Sequence, residues 1–315
     1  MKKVVTIGGG SGSFAILRGL KEYDLDITAV VNIFDSGGSS GVLRDEIGVL
    51  PPGDVRRALL ALSQGDQAEI LRALFNFRFN GGTGLAGHSF GNLLLVALSS
   101  IYGGDAEGIE KASELLNIKG VVYPVSLDKS HVHAILEDGT EVVGETNIDI
   151  PKHDPNLRIT KIFLDPPAHL YEKADTAIRE ADIVVVCPGD LYSSLGPALL
   201  TQGMSDALAA SSAKLVWACN MMTKMGETNN FTASDFAREL TSFCGKQRFD
   251  TVIVNTGVVA PEVLEEYASQ HQYPVAFDEV ALRQYTDHIV TGDLLSDTDL
   301  VRLDSAKVAR IIVEL

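Results

Sequence analysis

Val4-Val5-Thr6-Ile7-Gly8-Gly9-Gly10-Ser11-Gly12-Ser13 decides the fold. Four β-branched residues in succession favour a short strand, and the glycines after them permit a sharp change of direction. Phe14, Leu17 and Leu20 then recur at the spacing of one helix face. A strand that passes through glycines directly into a helix builds a cradle for phosphate. The glycines let the backbone approach an anion closely, and N–H groups at the helix start point toward it with the positive end of the helix dipole behind them. The spacing matches neither the GxGxxG of dinucleotide folds nor a Walker A loop, since no Lys-Ser or Lys-Thr follows. A tight strand-to-helix turn that holds no ligand is the plainer alternative.

Outward from this stretch, similar apolar runs recur at 27–33, 121–125, 183–187, 215–218 and 251–254. Uninterrupted runs of this kind suit strands covered on both faces. Helical patterns alternate with them at 13–23, 54–62, 68–77, 174–180, 208–211 and 233–240. Strand-helix alternation predicts an α/β fold built on a doubly wound, mainly parallel sheet. One stretch departs from the pattern. Residues 131–136, the turn Glu137-Asp138-Gly139-Thr140, and 141–143 read as a β-hairpin, with a further strand at 159–164. The organisation expected is a single domain over 1–315 with a small β insertion at about 121–165, and no internal repeat.

Composition narrows the function classes. With 315 residues and 45% hydrophobic content the chain can bury a large core. Its apolar runs are far shorter than the roughly 20 residues a membrane helix needs, so no membrane span is expected. The start, Met1-Lys2-Lys3 followed at once by a β-branched run, does not resemble a secretion signal, and a cytoplasmic protein is expected. Cys187, Cys219 and Cys244 are odd in number and widely spaced, which predicts reduced, mostly buried thiols. A net charge of −16 argues against nucleic acid as a partner. Small anionic ligands stay compatible, because backbone N–H groups and a few arginines make a local positive pocket.

Further loops carry candidate ligand contacts. Asp35-Ser36-Gly37-Gly38-Ser39-Ser40-Gly41 follows the second strand, offering the hydroxyls of Ser36, Ser39 and Ser40 to phosphate or sugar and the carboxylate of Asp35 to a hydroxyl or a metal ion. Pro51-Pro52-Gly53-Asp54 reads as a helix start with Asp54 at the N-cap, and Arg44, Arg56 and Arg57 are possible anion contacts. His88 and Asn92 in Gly87-His88-Ser89-Phe90-Gly91-Asn92 stand near another helix start, where a proton-transfer or phosphate role competes with capping and packing. Cys187-Pro188-Gly189-Asp190-Leu191-Tyr192 adds Gly189 and Tyr192, and Cys219-Asn220-Met221-Met222-Thr223 adds Asn220 and Thr223. The four loops at Gly8, Asp35, Cys187 and Cys219 leave the carboxyl edge of the sheet, where open α/β folds bind ligands.

Taken together, several segments resemble the CofD-like family, and within it the YvcK branch of gluconeogenesis factors, related to 2-phospho-L-lactate transferase. They are Ile7-Gly8-Gly9-Gly10-Ser11-Gly12, Gly37 through Glu46, Pro51 through Arg56, Gly87 through Asn92, Gly226-Glu227-Thr228 and Thr232-Ala233-Ser234-Asp235. The resemblance implies a Rossmann-like fold, a nucleotide-sized cleft, and a regulatory role in carbon metabolism and cell-envelope or cell-shape control through UDP-N-acetylglucosamine-like nucleotide-sugars. It also implies that Gly9, Gly10, Ser11 and Gly12 take the diphosphate, that Asn220 and Thr223 help hold the nucleotide, and that Arg302 contributes to nucleotide-sugar binding. The competing reading of Arg302 is a surface residue on the final helix.

The related transferases move a phospholactyl or phosphoenolpyruvyl group from a guanylyl donor to a deazaflavin with magnesium, which gives an enzymatic alternative with Asp35 and Asp54 as catalytic and metal candidates. One departure bears on it. The family pattern has two adjacent aspartates at the end of the second strand, whereas here Asp35 is followed by Ser36. A serine does not replace an ionised oxygen as a hard-metal ligand, so the sequence favours a non-catalytic binder. A scaffold that binds no ligand is the third reading. A homo-oligomer is expected, with any other protein partner unidentified.

Overall fold

The computed structural model describes residues 1–65, 68–297 and 300–315. Ten strands occur in it. They are β1 Lys2–Gly8, β2 Leu25–Val31, β3 Val121–Pro124, β4 His131–Leu136, β5 Glu141–Val143, β6 Ile159–Asp165, β7 Ile183–Val186, β8 Lys214–Ala218, β9 Phe249–Asn255 and β10 Thr286–Gly292. The first half of the chain supplies helices α1 Gly10–Leu20, α2 Gly38–Ile47, α3 Pro52–Leu62, α4 Ala68–Asn76, α5 Phe90–Tyr102, α6 Asp105–Leu115 and α7 Glu145–Asp149. The second half supplies α8 Glu172–Arg179, α9 Gly196–Leu199, α10 Met204–Ala210, α11 Ala233–Phe243, α12 Pro261–Ser269, α13 Glu279–Leu282 and α14 Ser305–Glu314, with one π-helical turn at Leu191–Leu195.

Seven strands form a wholly parallel sheet in the order β10-β9-β8-β7-β1-β2-β3. The doubly wound α/β expectation therefore holds. From β1 the chain winds outward through β2 to β3, then returns to β7 and winds the other way to β10. The two directions part between β1 and β7, which makes the carboxyl ends of those strands the topological switch point. Val4, Ile7, Ile27, Val185 and Trp217 are buried in the sheet, as continuous β-branched and aromatic runs require when both faces are covered.

The insertion is larger than a hairpin. Strand β4 pairs antiparallel with β5 and also with β6, giving a second sheet ordered β5-β4-β6. Strand β10 and helices α6 and α12 were not singled out by sequence. Helix α2 starts at Gly38, inside a stretch that reads as loop, because glycine and serine are poor helix formers but burial of Leu43 outweighs their propensity. All three cysteines are buried and free. Among the described residues no helix is long and apolar enough to cross a membrane.

Candidate functional site

At the switch point a cleft of about 580 Å³ opens, lined by Gly9, Gly10, Ser11 and Gly12. Gly9 is the N-cap of α1. A Cβ at Gly12 would lie 2.1 Å from the Pro188 carbonyl oxygen, so the loops after β1 and β7 touch backbone to backbone and only glycine fits. The Gly10 amide is already engaged, donating to Asp54 Oδ1 at 3.0 Å. This corrects the capping role expected of Asp54. The N-cap is Pro51, because proline at the first helical position starts α3 earlier, and Asp54 falls in the first turn where its carboxylate reaches the glycine loop. Burial raises its pKa, with the nearby Asp35 charge adding to the rise and Arg57 opposing it.

Asp35 stands on the β2 side, its Oδ1 accepting from the Gly37 amide at 2.8 Å. Ser36 does not line the cleft. Its amide donates to Glu145 Oε2 at 3.1 Å, and its hydroxyl accepts from the Thr146 amide at 2.9 Å. Glu145 and Thr146 belong to α7, so the insertion brings a carboxylate to the position where the sequence lost one. The shortage of acid inferred from Ser36 is a count along the chain, and in the fold it does not hold. Burial and the neighbouring Asp35 push Glu145 up to about 7.

Ser39 and Ser40 line the cleft from the first turn of α2. Asn92 Nδ2 donates to Ser39 Oγ at 3.1 Å, and His88 Nδ1 is 3.0 Å from the same hydroxyl. Asn92 reaches the cleft, whereas His88 is buried behind Ser39 and orients it. The cap of α5 is Ser89, whose Oγ accepts from the Asn92 amide. Arg44 also lies behind the wall, donating to the Asp35 carbonyl at 3.4 Å and pairing with Asp45.

On the β8 side, Asn220 Nδ2 donates to the Gly189 carbonyl at 2.7 Å, tying the loops after β7 and β8 together, and both residues line the cleft. Tyr267 and Arg302 close this end. Arg302 precedes α14 rather than riding on it, because residues 295 and 303 pair in a short bridge that holds the segment over the site. Tyr192 and Thr223 are outside. The π turn directs Tyr192 into the core, edge-on to Phe231 and Phe243, while the Glu227 carboxylate accepts from the Tyr192 and Ser193 amides at 2.7 and 3.1 Å. Thr223 pins a neighbouring segment by exchanging hydrogen bonds with the Tyr273 backbone.

Arg56, Arg57 and Arg78 line the cleft near one another, and Asp35, Glu145, Asp149 and Asp190 line it as well. Asp149, Asp190 and Glu227 bring carboxylate oxygens within 4.8 Å of one another. Lys224 Nζ sits 2.7 Å from Asp149 and 3.8 Å from Asp190, so this acid cluster already contains its own cation. Sequence reading missed Asn32, Arg78, Glu145, Asp149 and Tyr267 among the lining residues. Of these only Asn32, a polar residue inside an apolar run, left a signal.

Asp35 and Asp54 are the residues that would hold a divalent ion in this cleft. The bonds these carboxylates make within the protein use Oδ1, so neither engages Oδ2. Mg²⁺ prefers such hard oxygens shared with ligand phosphates. A cation there also offsets the repulsion that a diphosphate on the glycine loop meets from the Asp54 carboxylate. The residues thus suit a magnesium-bridged phosphate, with Arg57, 3.3 Å from Asp54, as the resident positive charge.

Comparison with other proteins shows the family. Residues 4–295 match the family described as 2-phospho-L-lactate transferase CofD. The chain is 41% identical over 319 residues to the gluconeogenesis factor of Halalkalibacterium halodurans, spanning 99% of this chain and 96% of that protein. It is 39% identical over 316 residues to the gluconeogenesis factor of Bacillus subtilis, spanning 99% and 98% respectively. A crystal structure of a UPF0052 family member from Bacillus halodurans superposes with a TM-score of 0.94 at 39% identity, covering 99% of this chain and all 100% of that one. The chain therefore belongs to the CofD family, in the branch of the gluconeogenesis factors.

Proposed function

We propose that the protein is a regulator that binds a nucleotide-sugar of the UDP-N-acetylglucosamine class and links its level to carbon metabolism and cell-envelope or cell-shape control. The observation that carries this reading is that the glycine loop after β1 stands between the loop after β2 and those after β7 and β8, and that residues of all four line one cleft. A nucleotide-sugar has the same order, nucleoside, diphosphate, sugar. The Ser11 and Gly12 amides, backed by the α1 dipole, receive the diphosphate. Asn220, Tyr267 and Arg302 hold the nucleoside, and Asp35, Ser39, Ser40 and Asn92 face the sugar. The names of the relatives point the same way for metabolic role. Melting temperature measured across a panel of UDP-N-acetylglucosamine, UDP-glucose, GDP and ATP tests it. A ligand at 100 times its Kd stabilises the native state by about 2.7 kcal/mol, so a true ligand raises the melting temperature, and no response across the panel would sink the reading.

Glu145 favours a second reading. With that carboxylate beside Asp35 the cleft retains the acid that magnesium-dependent transfer from a guanylyl donor to a deazaflavin requires. Incubation with a guanylyl donor, a deazaflavin and Mg²⁺ tests this, and absence of transferred product at high protein concentration removes it.

A further inference from the structure

The arginine cluster of the cleft is built for charge that a neutral sugar does not supply. Arg56 and Arg57 come from α3, and Arg78 from the turn after α4. Arg56 Nη1 is held by the Phe75 carbonyl at 3.1 Å and Asn76 Oδ1 at 2.8 Å, and Arg78 Nη1 donates to the Gly87 carbonyl. These acceptors are neutral. They fix the guanidinium groups without cancelling their charge. Among the described residues only Asp54 ion-pairs with any of the three, through Arg57. Arg56 is 8% exposed, and its buried Nε has no hydrogen-bond partner. Burial pushes Arg56 down to about 10, with Arg57 and Arg78 contributing repulsion. Three like charges held together by neutral groups, with one carboxylate among them, make a standing anion site.

We propose that Arg56, Arg57 and Arg78 form a subsite for a second anionic group, a carboxylate or phosphate, lying beyond the diphosphate, so that the protein prefers nucleotide-sugars with an acidic sugar over neutral ones. The inference rests on the proposed seating of the diphosphate at Gly9 to Gly12. Asp35, on the loop after β2, and Glu145, on α7, also line the cleft, where a cation or sugar hydroxyls satisfy them. A charge-assisted contact of this kind is worth about a tenfold change in affinity.

Calorimetry with UDP-glucose and UDP-glucuronate, which differ by one carboxylate, reads the carboxylate arm. Inorganic phosphate titrated alone, and again with saturating UDP-glucose, reads the free-phosphate arm. The expected result is at least about tenfold tighter binding of UDP-glucuronate, lost in Arg78→Gln and retained in Arg283→Gln, a surface arginine paired with Glu279. Phosphate that binds on top of UDP-glucose, and fails to do so in Arg78→Gln, supports the subsite with a free anion as its occupant. If neither nucleotide-sugar binds but phosphate still stabilises wild type and not Arg78→Gln, the nucleotide-sugar reading falls and the subsite stands. Equal affinities for the two sugars with no Arg78-dependent phosphate binding overturn the proposal.

Discussion

Gly9→Ala probes the junction between the glycine loop and α3. Gly9 has φ −155° and ψ −172°, extended backbone that alanine adopts readily, so backbone strain is not at issue. The new Cβ, however, would lie 1.9 Å from Asp54 Oδ2 and 2.8 Å from its Cγ. The carboxylate must swing away, breaking its bond from the Gly10 amide at 3.0 Å and its pair with Arg57 at 3.3 Å. A hydrogen bond to a charged group is worth about 1.5–3 kcal/mol, and the lower unfolded-state entropy of alanine returns about 0.4–1 kcal/mol. A net loss of about 1–2 kcal/mol is expected, read from the midpoint of urea unfolding. The decisive test is the cycle with Asp54→Ala. Once the carboxylate is gone the obstruction is gone, so in the Asp54→Ala background Gly9→Ala keeps only alanine's gain of about 0.4–1 kcal/mol, a coupling of about 1.5–3 kcal/mol. Costs that simply add would refute contact between Gly9 and Asp54 as the source of the effect.

Three further outcomes follow from the same geometry. Glu145 holds its proton to about 7 in the folded chain, against an ordinary value of 4.5, so between these pH values the folded state binds the extra proton and stability falls as pH rises from about 5 to 8. Glu145→Gln should flatten that slope by about 1–2 kcal/mol after allowance for solvent screening, measured by urea unfolding across the range; an unchanged slope contradicts the assignment. Lys224→Met keeps the aliphatic stem but leaves Asp149 and Asp190 facing Glu227 without their ammonium, costing about 1–2 kcal/mol at pH 7 and less below pH 5, where carboxylates take up protons. Millimolar Mg²⁺ should tighten nucleotide-sugar binding in wild type and not in Asp54→Asn, with calorimetry plus and minus chelator as the check.

The loops after β1, β2, β7 and β8 were legible in the sequence because each follows an apolar run and carries Gly, Ser, Pro or Asn at or near its start. Parallel strands deliver such loops to one edge, so reading the strands correctly brings the loops together. Residues whose place depends on tertiary approach were not legible. Glu145 sits on a five-residue helix of the insertion and meets Ser36 across 109 positions of chain. Arg78 has no local pattern that aims it at the cleft. Tyr192 and Thr223 resemble their loop neighbours Gly189 and Asn220 in sequence, yet a π turn and a backbone clasp direct them away. Asp54 was misread because Asp before a helical run signals a cap, and the preceding proline pair had already begun the helix.

The most direct measurement is a calorimetric titration of the protein with UDP-N-acetylglucosamine, run beside Gly12→Ala. A Cβ there would sit 2.1 Å from the Pro188 carbonyl oxygen and force the β1 and β7 loops apart. The account predicts saturable binding at one site per chain in wild type and at least tenfold weaker binding in a folded Gly12→Ala protein. A wild-type titration with no saturable heat, from protein shown to be folded, would contradict it.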